Sequence, residues 1–119
     1  MADYKLGEVE SIFADIIWSN EPLSSRRLAE LAEESLSWKR TTTYTILKRL
    51  CDRGLFQNQG GTVTSLVSKQ EFYAMQSEKF VEETFSGSLP AFLAAFGSRK
   101  KLSQSEIDEL QKVIDSMRG

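Results

Sequence analysis

The chain has 119 residues, a formal net charge of −2, one cysteine and no histidine. This length allows one ordinary domain, or a small domain with an appended oligomerisation segment. The lone Cys51 excludes an internal disulfide and is expected to be a small core residue, and the absence of histidine excludes the usual Cys/His zinc sites. Because we find neither an apolar run long enough to cross a membrane nor a secretion signal, we expect a cytoplasmic protein without membrane insertion.

Positive charge is concentrated in one part of the sequence. Residues 1–20 carry one lysine and four acids, residues 21–53 carry seven basic and five acidic residues, and residues 71–119 carry six basic and eight acidic residues. The acidic total argues weakly against indiscriminate nucleic-acid binding, because that affinity grows with the number of phosphates neutralised. The local excess in residues 21–53 suits a small footprint on an anionic partner.

Two amphipathic helices are predicted in the first third of the chain. Over residues 6–19, apolar residues recur at helical spacing, namely Leu6, Val9, Ile12, Phe13, Ile16 and Ile17. Ser24 or Ser25 can cap a second helix that runs to about Ser35. Arg26 and Arg27 would lie in its first turn, where cations oppose the helix dipole. A phosphate contact would remove that cost; the alternative is that both arginines are exposed without a partner.

The sequence from Trp38 to Leu55 predicts a third helix, over residues 39–53, that ends before Gly54. Helical phasing predicts an inward stripe formed by Thr43, Ile46, Leu47 and Leu50. The opposite, outward face is formed by Thr41, Thr45, Lys48 and Asp52, and it is flanked by Thr42, Arg49 and Arg53. Five basic residues stand against one acid in residues 39–53. Such a helix can read a DNA groove, and the alternative is a solvated amphipathic helix.

A short hairpin is predicted directly after the third helix. Gly60 and Gly61 separate two extended runs between Leu55 and Leu66, a pattern typical of a tight turn. Helices two and three form a helix-turn-helix, and three helices followed by a hairpin describe a winged helix. We therefore expect a mainly α fold with a small β-hairpin and a winged helix-turn-helix domain over residues 1–67.

Residues 68–119 are predicted to form a helical dimerisation domain. Helices are expected over residues 68–86, from Ser88, and from Ser103, which with Glu106 fits a capping box. Gly97 and Ser98 with the basic run 99–101 are predicted to connect the last two. The apolar residues expected between the two chains of a homodimer are Phe72, Phe80, Phe85, Leu89, Phe92, Leu93, Phe96, Ile107, Leu110 and Ile114. The alternative is that these helices fold back on their own winged domain.

The sequence resembles the penicillinase repressor family of bacterial winged-helix transcriptional regulators over residues 6–117. Four places carry the resemblance: I-I-W at residues 16–18 with P-L at 22–23, W-x-x-T-T-x-x-T-I-L-x-R-L from residue 38, L-V-S at 66–68, and L-S-Q-S-E-I-D-E-L at 102–110. The resemblance implies a homodimeric repressor on double-stranded operator DNA with two-fold symmetry, one third helix per half-site.

Within the third helix, Thr42, Thr45 and Arg49 match the family pattern, whereas Tyr44 and Lys48 fall where the family varies. The residues expected to contact DNA are Arg26, Arg27, Lys39, Arg40, Thr41, Thr42, Tyr44, Thr45, Lys48 and Arg49. The predicted wing is shorter than is usual in the family and carries no charge, so affinity is expected to depend on these residues.

The resemblance also implies a mode of release. Relatives of the penicillin-resistance type are inactivated when a membrane sensor protease triggers cleavage in the C-terminal half, and the matching bond here joins Ala95 and Phe96. Copper-responsive relatives carry a C-terminal cysteine cluster that this chain lacks, which excludes metal sensing by that route. We expect no cofactor. A competing hypothesis is a winged-helix protein–protein interaction module that does not bind DNA. An enzyme is the weakest hypothesis, because no nucleophile–base spacing, phosphate loop or ligand cluster is found.

Overall fold

A computed structural model describes residues 5–118. Its elements in this range are α1 (Glu8–Asn20), β1 (Leu23–Ser24), α2 (Ser25–Leu36), α3 (Arg40–Asp52), β2 (Phe56–Gln59), β3 (Thr62–Ser65), α4 (Lys69–Phe85), α5 (Leu89–Arg99) and α6 (Gln104–Ser116). The chain divides into two compact units, the first ending at Ser77 and the second beginning at Glu78. None of the helices in residues 5–118 is long and apolar enough to span a membrane. The predicted fold class, a winged helix-turn-helix followed by C-terminal helices, is confirmed.

Local signals fix the ends of α2 and α3. The Ser24 hydroxyl accepts a hydrogen bond from the Arg27 amide at 3.0 Å and so caps α2. Ser37 ends that helix in the left-handed region with φ of 56° and begins the turn into α3. At the other end of α3, Gly54 has φ of 84°, and the next amide, of Leu55, donates to the Leu50 carbonyl at 3.1 Å. These caps set the length and the orientation of the helix-turn-helix.

The wing is a hairpin with a third, very short strand beside it. Gly60 and Gly61 have φ of 60° and 88°, the left-handed pair required by a two-residue type I′ turn. β2 pairs with β3 in an antiparallel register, and β1 pairs with the other edge of β3, Leu23 opposite Val63. The amide of Ser25 also donates to the Gly61 carbonyl at 2.8 Å. The wing is thus tied to the start of α2, a link that the sequence pattern did not predict.

The core lies in the first unit, between the three helices and the sheet. Its buried apolar residues are Phe13, Ala14, Ile17, Leu23, Leu28, Ala29, Ala32, Leu47, Leu50, Leu55, Phe56, Val63, Val67 and Phe72. Trp18 packs at its edge, with ring centroids 5.4 Å from both Phe56 and Phe72, and its indole N–H donates to the Val67 carbonyl at 3.0 Å. Each large apolar side chain buried in this way stabilises the fold by about 1.5–3 kcal/mol.

The first part of α4 belongs to the first unit, which corrects one expectation. Phe72 was predicted at a dimer interface, but it is 3% exposed and packs on Trp18 in the core. Lys69 adds an ion pair to Asp15 of α1, with Nζ 2.5 Å from Oδ1. The first compact unit therefore includes the start of α4 and ends at Ser77. The division into two functional domains at residue 67 stays a prediction.

The second unit contains the end of α4 with α5 and α6. Ser88 caps α5 and Ser103 caps α6, where the predicted capping box with Glu106 is confirmed. The predicted connector is wrong in part, because Gly97 and Ser98 lie inside α5, which continues to Arg99. The Ser98 hydroxyl donates to the Ala95 carbonyl at 2.7 Å, consistent with a continuing helical turn. Phe80, Phe85 and Phe92 pack edge to face, with ring centroids 5.6–6.0 Å apart.

Candidate nucleic-acid interface

Helix α3 is held so that one face points away from the protein. Thr43, Leu47 and Leu50 are buried against the core, which fixes the rotation of the helix about its axis. The residues on the opposite side, including Thr41, Thr45 and Lys48, are exposed. The expected phasing of the helix is therefore correct, and its polar face is available to a partner.

The cations of this surface are exposed and only partly paired. Arg27 lies 3.4 Å from Glu30, and Lys48 Nζ lies 3.2 Å from Asp52 Oδ2. Within residues 5–118, no ion pair or hydrogen bond is made by the side chains of Arg26, Lys39, Arg40 and Arg49. Exposed ion pairs contribute little to stability, so an anionic partner can displace them at small cost. The acids of this surface therefore leave much of its positive charge free to attract an anion such as phosphate.

Hydroxyl groups follow the first of these cations along α3, in residues 41–45 between Arg40 and Lys48. The Thr45 hydroxyl donates to the Thr41 carbonyl at 2.9 Å, which leaves its oxygen lone pairs able to accept. Thr42 and Tyr44 are also exposed. All ten residues predicted to contact DNA lie on the exposed surface of α2 and α3 or at the N-cap of α3, namely Arg26, Arg27, Lys39, Arg40, Thr41, Thr42, Tyr44, Thr45, Lys48 and Arg49.

The beginning of α3 also favours an anion. Lys39 at the N-cap provides no side-chain hydrogen bond to the first-turn amides, and that turn contains no acid. The first amides of a helix have no partner within the helix and lie at the positive end of its dipole. With the side chain of Arg40 in the same turn, these amides can assist a phosphate contact.

An ion pair at the opposite end of α3 was missed by sequence reasoning. The Arg53 guanidinium lies 3.6 Å from a Glu10 carboxylate oxygen and also donates to the Lys5 carbonyl. The second carboxylate oxygen of Glu10 accepts from the Gly7 amide at 3.2 Å. Glu10 therefore joins the start of α1 to the end of α3. A contact across more than forty positions leaves no local signal in the sequence.

The wing contributes polar groups but no charge to this surface. Gln57 donates from its side-chain amide to the Thr64 hydroxyl at 3.0 Å, whereas Asn58 and Gln59 are exposed. A shallow cleft of about 360 Å³ separates β2 from α3, lined by Tyr44, Leu47, Lys48, Cys51 and Asn58. The pattern of residues did not predict this cleft, because it depends on how closely the wing approaches the helix.

The comparisons with known proteins identify the family. The sequence profile described as penicillinase repressor matches residues 6–116. The chain belongs to the penicillinase repressor family. Among its relatives is the methicillin resistance regulatory protein MecI of Staphylococcus aureus (strain Mu50 / ATCC 700699), 25% identical over 116 residues that make up 94% of each chain. The penicillinase repressor of Bacillus licheniformis is 22% identical over 115 residues, which cover 93% of this chain and 90% of that protein.

Membership in the penicillinase repressor family confirms the resemblance seen in the sequence. The profile covers both units, from α1 to the end of α6. It does not test individual side chains, so the ten DNA contacts stay predictions. In the part of the chain that the structure describes, no group of three Cys, Asp or Glu side chains is arranged to hold a metal ion.

Proposed function

We propose that the protein is a transcriptional repressor that binds operator DNA as a homodimer. The proposal rests on the exposed surface of α3, which is held in place by a buried stripe. This surface presents hydroxyls and two cations, Arg40 and Arg49, that make no ion pair within residues 5–118. The names of its relatives, a methicillin resistance regulatory protein and a penicillinase repressor, support a regulatory role. An α-helix of this kind fits the major groove, where base edges differ between the four base pairs.

The roles of the α3 side chains follow from their chemistry. Thr42 and Thr45 can meet a base edge, a thymine methyl group or a phosphate, and Arg49 suits guanine or phosphate. Arg26 and Arg27 in α2, with Lys39 and Arg40 at the start of α3, supply contacts to phosphate. These contacts position the helix, and the α3 side chains supply sequence preference.

The apolar faces of the second unit support a dimer. Between α5 and α6 lies an apolar groove of about 420 Å³, lined by Phe92, Leu93, Phe96, Leu102, Ile107, Leu110, Gln111 and Ile114. Phe96, Ile107 and Ile114 are each more than 40% exposed in the single chain. A second copy would bury these surfaces and also Phe80, Phe85 and Leu89. The resulting two-fold symmetry places two α3 helices on half-sites about 34–36 Å apart.

Release by proteolysis is the finer part of the proposal. Ala95 and Phe96 are exposed within α5, only four residues before its end at Arg99. Gly97, inside the same turn, weakens a helix by about 1 kcal/mol relative to alanine, so local unwinding around the bond is inexpensive. A membrane sensor protease would be the partner that starts this event. Mass spectrometry of the protein from induced cells tests it: cleavage between residues 95 and 96 is expected, and derepression with an intact chain contradicts it.

The DNA-binding proposal is tested by titration. The duplex directly upstream of the protein's own coding sequence is compared with random duplex at several salt concentrations. We expect tighter binding of the upstream duplex and a linear fall of log affinity with log salt. Arg40→Gln or Arg49→Gln should weaken binding and reduce the slope by about one unit for each phosphate contact that the substitution removes.

Lys112→Gln is the matched control, since it removes one exposed cation from α6 and leaves α3 unchanged. Its effect on the slope should be close to zero. An unchanged slope for both arginine variants would contradict the docking of α3.

A second candidate is a winged-helix module that binds protein and not DNA. The net charge of −2 and the uncharged residues 57–61 favour it. The unpaired cations of α3 favour DNA. Equal and negligible binding of upstream and random duplex by the wild-type protein would decide for the protein-binding module.

A further inference from the structure

The cleft between α3 and β2 combines apolar and polar surfaces. Leu47 and Cys51 form its apolar part, and Tyr44, Lys48 and Asn58 place a phenol, an ammonium and an amide around it. One nucleotide of a DNA strand also combines apolar and polar surface, because its deoxyribose presents C–H groups and its phosphate presents charged oxygens. The cleft has a volume of about 360 Å³, and its one cation, Lys48, complements a phosphate.

The cation at this cleft, Lys48, already forms an ion pair with an acid of the same helix. Lys48 Nζ lies 3.2 Å from Oδ2 of Asp52, one helical turn further on, and both side chains are largely exposed. Asp52 is the only acidic residue of α3, which also contains Arg40, Lys48 and Arg49. Burial, and then the nearby charge of Asp52, raise the pKa of the Cys51 thiol. The Cys51 thiol is therefore uncharged near neutral pH and does not repel a phosphate.

We propose that the cleft between α3 and β2 binds one sugar-phosphate unit of duplex DNA, and that Asp52 limits the affinity by competing with the phosphate for Lys48. This inference rests on the proposed function and assigns a phosphate and a competing acid to Lys48, which is already predicted to contact DNA. On binding, Lys48 exchanges one oxygen anion for another, while the apolar part of the cleft takes the sugar and the Asn58 amide donates to a backbone oxygen.

Asp52→Asn tests the competition. Because exposed ion pairs are weak, we expect about two- to five-fold tighter binding per half-site. The gain should be similar on the upstream duplex and on random duplex, since a phosphate contact carries no sequence information. Lys48→Gln should weaken binding to both duplexes and reduce the salt slope by about 0.9 per half-site. Circular dichroism should show that the fold is unchanged in each variant, because both side chains are exposed.

Two comparisons separate this mechanism from a general charge effect. Asp108→Asn makes the same chemical change in α6, and it should alter affinity much less than Asp52→Asn. In the Lys48→Gln background, the gain from Asp52→Asn should shrink to that of the control. An equal gain in both backgrounds overturns the competition, and a gain confined to the upstream duplex overturns the sugar-phosphate assignment. If the wild-type protein binds no DNA, the proposed function itself fails; if it binds and Asp52→Asn has no effect, only this inference fails.

Discussion

Similar apolar residues are buried in the first unit of the chain but only partly covered in the second. In residues 5–118, every buried side chain lies between Phe13 and Phe72, and none lies in the second unit. Phe56 in the hairpin is completely buried, whereas Phe96 in α5 is 45% exposed. Three helices and a hairpin enclose a core within one chain, but the helical faces of residues 78–118 have no such enclosure. The proposed DNA-reading face is thus positioned by its own chain, and the proposed two-fold arrangement depends on a second copy.

The largest expected effect comes from placing a charge in the proposed dimer surface. Ile114 lines the groove between α5 and α6 and is 41% exposed in the single chain. Ile114→Asp would bury a carboxylate without a partner, so we expect a monomer at micromolar concentration by light scattering. Loss of the second half-site should then weaken operator binding by about 100- to 10,000-fold.

Ser105→Asp is the control for this change, because it introduces the same group into the exposed first turn of α6. This variant should remain a dimer with unchanged DNA affinity. A wild-type protein that is already monomeric at micromolar concentration would remove the proposed role of the second unit.

The next effect compares one phenylalanine from each unit. Phe56→Ala removes a fully buried ring, so we expect a loss of about 3–5 kcal/mol in the free energy of unfolding, independent of protein concentration. Phe96→Ala should destabilise mainly by weakening the dimer, so its effect should depend on protein concentration and shrink as dilution dissociates both wild type and variant. Urea unfolding at two protein concentrations measures both. Matching, concentration-independent losses would show that the second unit closes its own core.

Periodic and capped elements of this fold are predictable from sequence because their signals are local. Ser24, Ser103 and the Gly60–Gly61 pair each define an element through hydrogen bonds or dihedral angles within a few residues. The outward face of α3 followed from helical phasing in the same way. Most residues of the four motifs that carry the family resemblance lie in α1, α3 and α6, whose periodicity is visible in the sequence.

The remaining features depend on contacts between distant positions. β1 has only two residues, so it shows no alternation and becomes visible only by its pairing with β3. Phe72 has the same helical spacing as its apolar neighbours, and only the packing of Trp18 shows that it belongs to the core. The cleft beside α3 and the ion pair of Glu10 with Arg53 likewise depend on how elements approach in space.

A smaller effect is expected at Thr43, within the inward stripe of α3. Its hydroxyl is fully buried and, among the described residues, has no hydrogen-bond partner. An unpaired buried hydroxyl costs free energy, so Thr43→Val should raise the free energy of unfolding by about 1–3 kcal/mol. Thr41→Val, at an exposed position, should change it by less than about 0.5 kcal/mol. Chemical denaturation distinguishes them, and a loss of stability in Thr43→Val would mean that the hydroxyl is satisfied in solution.

The smallest effect is a pH dependence at the start of α6. Hydrogen bonds with the backbone and the hydroxyl of Ser103 lower the pKa of Glu106 below its ordinary value of 4.5. A lowered pKa in the folded state means that the stabilisation is complete above the ordinary value and is lost as pH falls through the lowered one. Glu106→Gln can keep part of the capping box but cannot titrate. The stability difference between wild type and this variant should therefore be constant near neutral pH and vanish in acid.

Glu109→Gln changes the same charge in α6 outside the capping box, so it controls for the net charge of the helix. The stability of wild type, Glu106→Gln and Glu109→Gln is measured by thermal unfolding as a function of pH, at one fixed protein concentration. Because α6 carries the proposed dimer surface, the acid loss in wild type should appear both in stability and in the dimer dissociation constant. If the stability of Glu106→Gln follows the same pH profile as wild type both below and above pH 4.5, the carboxylate contributes nothing to the helix start.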